Sequence, residues 1–180
     1  MHNSNREIVR GYKSRRWITC VGEFRGGQSI VMASNRYTEL FFLDEAVAFS
    51  AGHGLCAVCR RQRYNAFRHA WRRVKQQVSY LLADDMDLEL HPARIDSRKR
   101  VAYEAALSSL PDGCFVQIEG RAYLVWRDAL LLWSPEGYGR RDERPKNSSV
   151  TVLTPEPIVG CFRQGYLPEI HESGRFLNRP

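Results

Sequence analysis

Long apolar runs are missing from this 180-residue chain: no window approaches the roughly eighteen apolar residues of a membrane-crossing helix. Its first residues, MHNSNREIVRGYKSRRW, are charged and lack the apolar core of a secretory signal. The expectation is a soluble cytoplasmic protein with no membrane partner. Cysteine is scarce, odd in number and scattered, at positions 20, 56, 59, 114 and 161. That excludes a disulfide framework and fits a reducing compartment. Repeats and low-complexity tracts are absent, which excludes a solenoid. The motifs G-x-S-x-G and H-E-x-x-H and the P-loop do not occur, which removes three common enzyme designs. The zinc-deaminase pattern fails as well, because Gly54-Leu55 follows His53 and Leu55 stands where that pattern has proline.

Acidic residues are absent from Arg60 to Leu82, and this lack is the first functional hint. The net charge is +7, unevenly shared: residues 1–82 carry 14 Lys and Arg against 5 Asp and Glu, and residues 83–180 carry 13 against 15. A basic half points to a polyanionic partner, nucleic acid, and DNA ahead of RNA. Within the acid-free segment Tyr64, Phe67, Trp71, Val74, Val78 and Leu81 recur every three or four residues, which predicts one helix over residues 60–82. Arg61, Arg68, Arg72 and Lys75 form a second stripe, roughly 100° round that helix. With no glutamate interleaved for i,i+4 pairing, this stripe, together with Arg60, is expected to contact phosphates.

A 43% hydrophobic and 11% aromatic composition is enough for a packed core. Residues 15–24 are rich in strand formers, Gly26-Gly27 signals a turn, and residues 29–32 return as a strand. A short strand at 40–43 leads to a helix from Asp44, which Gly52 and Gly54 end. Residues 84–100 contain Pro92 and read as a connector. Residues 101–110 read as a helix stopped by Pro111-Asp112-Gly113. Three strands follow within 114–134, then an exposed loop over 137–149, a strand at 150–154, and a closing helix from Pro155 to about Gln164. The tail from Gly174 is expected to fray. The fold class is therefore α+β. A flexible arm (1–14) precedes a small zinc-knuckle α/β module with a long basic helix (15–82). A connector (83–100), a β-meander module with a closing helix (101–171) and a tail (172–180) follow.

Cys56 and Cys59 form a C-x-x-C pair, a turn that lets two thiolates reach one ion at ~2.3 Å. A redox dithiol is the alternative, although that chemistry wants the pair directly after the strand of a βαβ unit. A four-coordinate zinc needs two more ligands. Cys20 is the first candidate and His53, three residues before Cys56, the second; Cys114 and Cys161 read as buried thiols.

The order strand, helix, knuckle in LFFLDEAVAFSAGHGLCAVCRR is carried by Phe41-Phe42, Glu45-Ala46, Ala51-Gly52, Cys56 and Cys59. Over about residues 38–61 it resembles the Ada-type N-terminal metal-binding domain. That resemblance implies a Zn2+ site completed by an upstream ligand pair; in this chain the upstream cysteine is Cys20. The remainder, with DLELHPARIDSRK, LPDG, LLLWSPEGYG and VTVLTPEP, resembles an uncharacterised bacterial protein family of similar length, which implies no activity.

Outside the cysteines, His91 and Arg94 near Asp84, Asp85 and Asp87 form the one cluster with catalytic chemistry. The histidine is a candidate general base and the arginine a candidate phosphate holder. Three function classes follow: a zinc-stabilised nucleic-acid-binding protein, a metal-dependent nuclease-like hydrolase using His91 and Arg94 or an open zinc position, and a protein-interaction module. The last would offer the loop around Trp133 and Tyr138 to a protein partner.

Overall fold

The computed structural model describes residues 3, 5, 7–22, 39–76 and 81–177. The hairpin partner expected at 29–32 lies outside them. In chain order the described elements are β1 (Ile18–Thr19), α1 (Glu45–Ser50), β2 (Gly54–Leu55), α2 (Arg61–Val74), α3 (Ala83–Arg94), β3 (Ile95–Asp96), β4 (Lys99–Arg100), β5 (Tyr103–Ala106), β6 (Phe115–Ile118), β7 (Arg121–Trp126), β8 (Ala129–Ser134), β9 (Gly137–Glu143), β10 (Ser149–Val152), α4 (Glu156–Arg163) and α5 (Glu172–Phe176). The class is α+β, built on a six-stranded antiparallel sheet of order β5-β10-β6-β7-β8-β9.

β6 to β8 are the strands expected within 114–134, β9 extends their meander, and its central strands are buried on both faces. Val116, Tyr123, Val125 and Leu130 turn toward a core shared with Phe49, Phe67, Trp71, Leu90, Val159 and Phe162 of the helices. Phe115, Leu124, Ala129 and Leu131 turn the other way, onto Ala46, Tyr138 and Ile170. Covering both faces is why runs such as Tyr-Leu-Val-Trp and Leu-Leu-Leu-Trp show no polar alternation. The first core joins residues from both expected modules, so one packed interior runs through the boundary drawn at residues 83–100.

Six expectations about elements are corrected. The helix predicted over 60–82 is α2 alone: it stops at Lys75, and Gln76 has φ 52°. Residues 77–80 lie outside the described set, and Leu81 is buried ahead of α3. Residues 83–94 are a helix, not a connector. Met86, Leu90 and Arg94 recur at i, i+4 and i+8 and are all buried, but an arginine on the apolar stripe hides the periodicity. Pro92 sits in the last turn, where its missing N–H costs the helix one backbone bond. Asp85 starts this helix by accepting from the Leu82 N–H at 3.0 Å.

Residues 103–106 are a strand rather than a helix, despite their alanines. Tyr103, Ala105 and Leu107 alternate inward, and pairing with β10 outweighs helix propensity. Residues 137–143, expected as a loop, are the edge strand β9. Its charges, Arg140, Arg141, Asp142 and Glu143, suit an edge that must discourage further pairing. The strand expected at 40–43 does not form, and residues 172–176 of the tail are helical.

Two adjacent acids at the start of α1 join the layers. Asp44 caps α1 through the Val47 N–H (2.8 Å), and it accepts from the Tyr138 hydroxyl (2.7 Å) and the His171 N–H (2.9 Å). Glu45 is 2% exposed. It accepts from Arg63 of α2 (2.6 Å), the Tyr166 hydroxyl (3.0 Å) and the Glu169 N–H (3.1 Å), with Arg60 at 3.6 Å. Arg63 also donates to the Leu167 carbonyl at 2.8 Å. Burial and the Glu45 carboxylate push the Tyr166 hydroxyl pKa upward, so it stays a donor. A buried ion keeps its place only while every lone pair is matched. We expect Glu45→Ala, which strands Arg63, to cost about 3 kcal/mol, and Tyr166→Phe, which removes one hydrogen bond, about 1 kcal/mol. Urea denaturation with unchanged m-values checks both.

Candidate metal centre

Cys20 reaches the knuckle through a very short parallel ladder. Ile18 pairs with Gly54 and Thr19 with Leu55. The Gly54 N–H donates to the Trp17 carbonyl (2.8 Å) and the Cys56 N–H to the Thr19 carbonyl (3.1 Å). One residue further along each strand stand Cys20 and Cys56. The chain then turns, with the Arg60 N–H on the Cys56 carbonyl at 3.1 Å, and α2 starts at Arg61. This turn brings Cys59 back, and its Sγ accepts from the Val21 N–H at 3.4 Å. The Sγ atoms of Cys20, Cys56 and Cys59 all lie within 4.8 Å of one another. Sulfurs of a tetrahedral site with ~2.3 Å metal–sulfur bonds stand roughly 3.8 Å apart. The three therefore fit one ion after a small inward adjustment.

The ionisation of the three thiols fits a cation as well. Burial raises Cys56, but the Cys59 and Val58 backbone amides and the neighbouring thiols more than offset it, so Cys56 ionises below the usual cysteine range. Burial, then hydrogen bonding and charge from Cys56 and Cys59, push the Cys20 thiol up to about 12. One sulfur is thus prepared as a thiolate while its neighbour resists a second negative charge. A bound cation removes that resistance, and a coordinating thiol is deprotonated outright.

The other candidate residues fall elsewhere. His53, the second candidate ligand, is not in the group. Its ring packs between Trp17 (5.3 Å between centroids) and Phe42 (4.7 Å), with Nδ1 3.3 Å from the Ala51 carbonyl. Burial lowers its pKa to about 4, so it is neutral at pH 7. Cys114 and Cys161 are fully buried in the main core, as expected. His69 lies on α2 beside Arg73, with 3.1 Å between Nδ1 and the guanidinium.

Arg94 is 4% exposed and acts as a clamp. It donates to the Gly52 carbonyl at 2.7 Å and to the Arg15 carbonyl, lies over the Trp17 ring at 4.4 Å, and has Asp87 4.0 Å away. Desolvation lowers its pKa to about 10. It thereby fastens α3 to both strands that carry the cysteines. His91 is half-buried and meets the Tyr12 ring edge-on at 5.1 Å. Burial, then the charges of Arg94 and Arg15, lower its pKa. His91 Nδ1 also stands 3.5 Å from the Arg94 guanidinium, so the two residues expected to do hydrolytic chemistry lie side by side, one of them also a structural clamp and the other in an aromatic contact.

The basic stripe of α2 is partly engaged. Arg60 faces Glu45, and Lys75 forms an ion pair with Glu89 of α3. Arg68 is half-buried with its guanidinium over the Tyr64 ring at 5.7 Å, Arg72 is half-buried, and Arg61 is exposed. The loop offered to a protein partner is not a loop: Tyr138 is buried and bonded to Asp44, and Trp133 is half-buried. Sequence reasoning missed Trp17 and the clamping role of Arg94. The signal for the latter was the i, i+4, i+8 spacing with Met86 and Leu90.

Gly52 shows how tightly the clamp closes. Its φ is +78°, and a Cβ there would sit 2.8 Å from Arg94 Cδ and 2.9 Å from Arg94 Cβ. We expect Gly52→Ala to destabilise by roughly 2 kcal/mol or more, from backbone strain plus overpacking. Gly54→Ala, whose Cβ would meet only the Trp17 carbonyl at 3.8 Å, should stay within about 0.5 kcal/mol of the parent. Thermal melts of the two variants check the contrast.

Comparison with family models, with curated proteins and with solved structures gives no match to this chain. What the protein does has to be read from its own residues.

Proposed function

We propose that this is a zinc-binding, nucleic-acid-binding protein in which the metal is structural and a basic surface meets phosphates. The observation that carries the reading is the convergence of Cys20, Cys56 and Cys59, three sulfurs within 4.8 Å of one another from two segments 36 residues apart. Three thiolates from a knuckle and a strand favour zinc over oxygen-seeking cations such as magnesium or calcium. The resemblance of residues 38–61 to Ada-type metal-binding domains supports the same metal. When bound, zinc supplies cross-linking between segments that are otherwise joined by a two-residue ladder. The residues that would hold it are those three cysteines.

The nucleic-acid part is supported by the +7 charge, its concentration in the first half, and the absence of acid along α2. α2 starts two residues after Cys59, so a fixed knuckle also fixes how α2 is presented. Arg61 is exposed on it, and Arg68 and Arg72 lie about two and three turns further along the same face. Arg60 and Lys75 are less suited to the role, because each already faces a carboxylate. The partner proposed is DNA ahead of RNA.

Metal analysis of purified protein should give one zinc per chain, lost in Cys56→Ala and weakened in Cys20→Ser. The melting temperature should fall in both, because metal binding contributes to folding. Gel-shift titrations with duplex DNA at two salt concentrations should show binding that weakens with salt. Arg61→Glu should reduce the slope of log K against log salt by roughly 0.9 or more. Stable, folded, zinc-free protein would refute the metal reading, and zinc-loaded protein that ignores DNA would refute the partner.

A further inference from the structure

A cleft of about 240 Å³ opens between the end of α1, the β3–β4 hairpin and the start of α4. Three arginines are among its lining residues, Arg94, Arg98 and Arg100, and none of the described lining residues is acidic. Like charges drawn round a small cleft repel one another, so their assembly needs a reason. Two of them have structural partners. Arg100 donates to the Leu153 carbonyl at 2.8 Å and to the Ser50 carbonyl, which holds it across the cleft. Arg94 is fixed by the Gly52 and Arg15 carbonyls, and its buried Nε has no hydrogen-bond partner among the described residues.

Arg98 is the informative one. It sits in the two-residue turn between Asp96 and Lys99, with φ +69° after Ser97 at φ +46°. Such a turn favours Asn-Gly, and a bulky side chain in the left-handed region is strained. Among the described residues no hydrogen bond or ion pair engages its side chain. The fold would be served better by glycine, yet this position holds an arginine at the cleft. Its neighbouring acids are otherwise placed: Asp96 accepts from the Ser97 hydroxyl at 3.1 Å, and Asp87 stands 4.0 Å from Arg94.

We infer that this cleft binds a phosphate group, with Arg98 as its free cation and Arg94 and Arg100 as the fixed positive wall. One guanidinium fork saturates a carboxylate, whereas guanidiniums arriving from separate elements suit a tetrahedral oxyanion with more acceptor oxygens. The phosphate comes either from a monoester end or from a nucleic-acid backbone. The backbone source alone rests on the nucleic-acid reading proposed above.

The test compares two matched variants of the full chain with its metal bound. Arg98→Gly removes the guanidinium and relieves the strained φ. Arg127→Gly does the same at φ +55° in the remote β7–β8 turn, so it carries the same loss of charge. Both should melt at or above the parent temperature. Calorimetric titration uses three probes: inorganic phosphate, a nucleoside 5′-monophosphate, and a short DNA duplex without terminal phosphates. We expect Arg98→Gly to weaken at least one probe by about tenfold, the loss of one charge-assisted hydrogen bond, while Arg127→Gly stays within about twofold of the parent. Loss confined to phosphate and the monophosphate assigns a monoester end, and loss on the duplex assigns a backbone phosphate. An Arg98-dependent response to phosphate with no duplex binding upholds the cleft and removes the nucleic-acid reading. Duplex binding equal in both variants, with no Arg98-dependent response to the other two probes, overturns the cleft and leaves the α2 surface standing. A parent protein that binds none of the three overturns it too.

Discussion

The carboxylate of Glu45 is the constraint on which the rest of the structure depends. A charge only 2% exposed is tolerable only if the chain delivers cations and hydrogen-bond donors to it from several directions. Arg63 and Arg60 come from α2 and its lead-in, and Tyr166 and the Glu169 amide come from the segment after α4. Asp44 beside it draws in Tyr138 of the sheet edge and the His171 amide. Two consecutive acids thus tie α1 to α2, to β9 and to the C-terminal segment. The arginines they recruit belong to the most basic stretch of the chain, so the acid-free helix is compensated from outside its own sequence.

That arrangement carries over to the cysteine group. With α1 held by Glu45 and α2 held by Arg63, the loop between them has little freedom, and it is this loop that contains Cys56 and Cys59. Arg94 closes the other side by binding the Gly52 and Arg15 carbonyls and covering Trp17. The β1–β2 ladder has only two residues in each strand and would be marginal alone. It is held in register by the clamp beneath it and, on the proposed reading, by a metal across its end. A buried arginine and three cysteines therefore share one task, keeping the N-terminal segment against the knuckle.

Much of the sheet half was legible because its strands are short, apolar and separated by glycine or charged turns. Residues 115–118, 121–126 and 129–134 read as strands for that reason, and α4 followed from Pro155 and its apolar spacing. The helix at 83–94 was not legible: Arg94 occupies the third apolar position of its stripe, and Pro92 mimics a stop. The strand at 103–106 was not legible because alanines favour a helix when nothing else is known, and its partner β10 lies some forty residues away. β9 was hidden by the charges that suit an edge strand. At the candidate site Cys56 and Cys59 were evident from spacing, and Cys20 was named from its place upstream. His53 was equally plausible on spacing, but its ring is drawn into the aromatic contacts of Trp17 and Phe42 instead.

By itself the sequence determined the local terms: the α+β class, the Asp44 cap, the turn at Cys56–Cys59, the apolar stripe of α2 and the uneven charge. Each depends on residues within a few positions of one another, where backbone geometry sets what can meet. Tertiary structure alone decided which of the cations are engaged, that Arg94 is a clamp, that Cys20 rather than His53 joins the two knuckle sulfurs, and that three arginines converge on one cleft. Those outcomes depend on partners from 14 residues apart, Lys75 and Glu89, to 104, Arg63 and Leu167. Burial and charge compensation across such separations come from how the layers pack, and no local pattern records that.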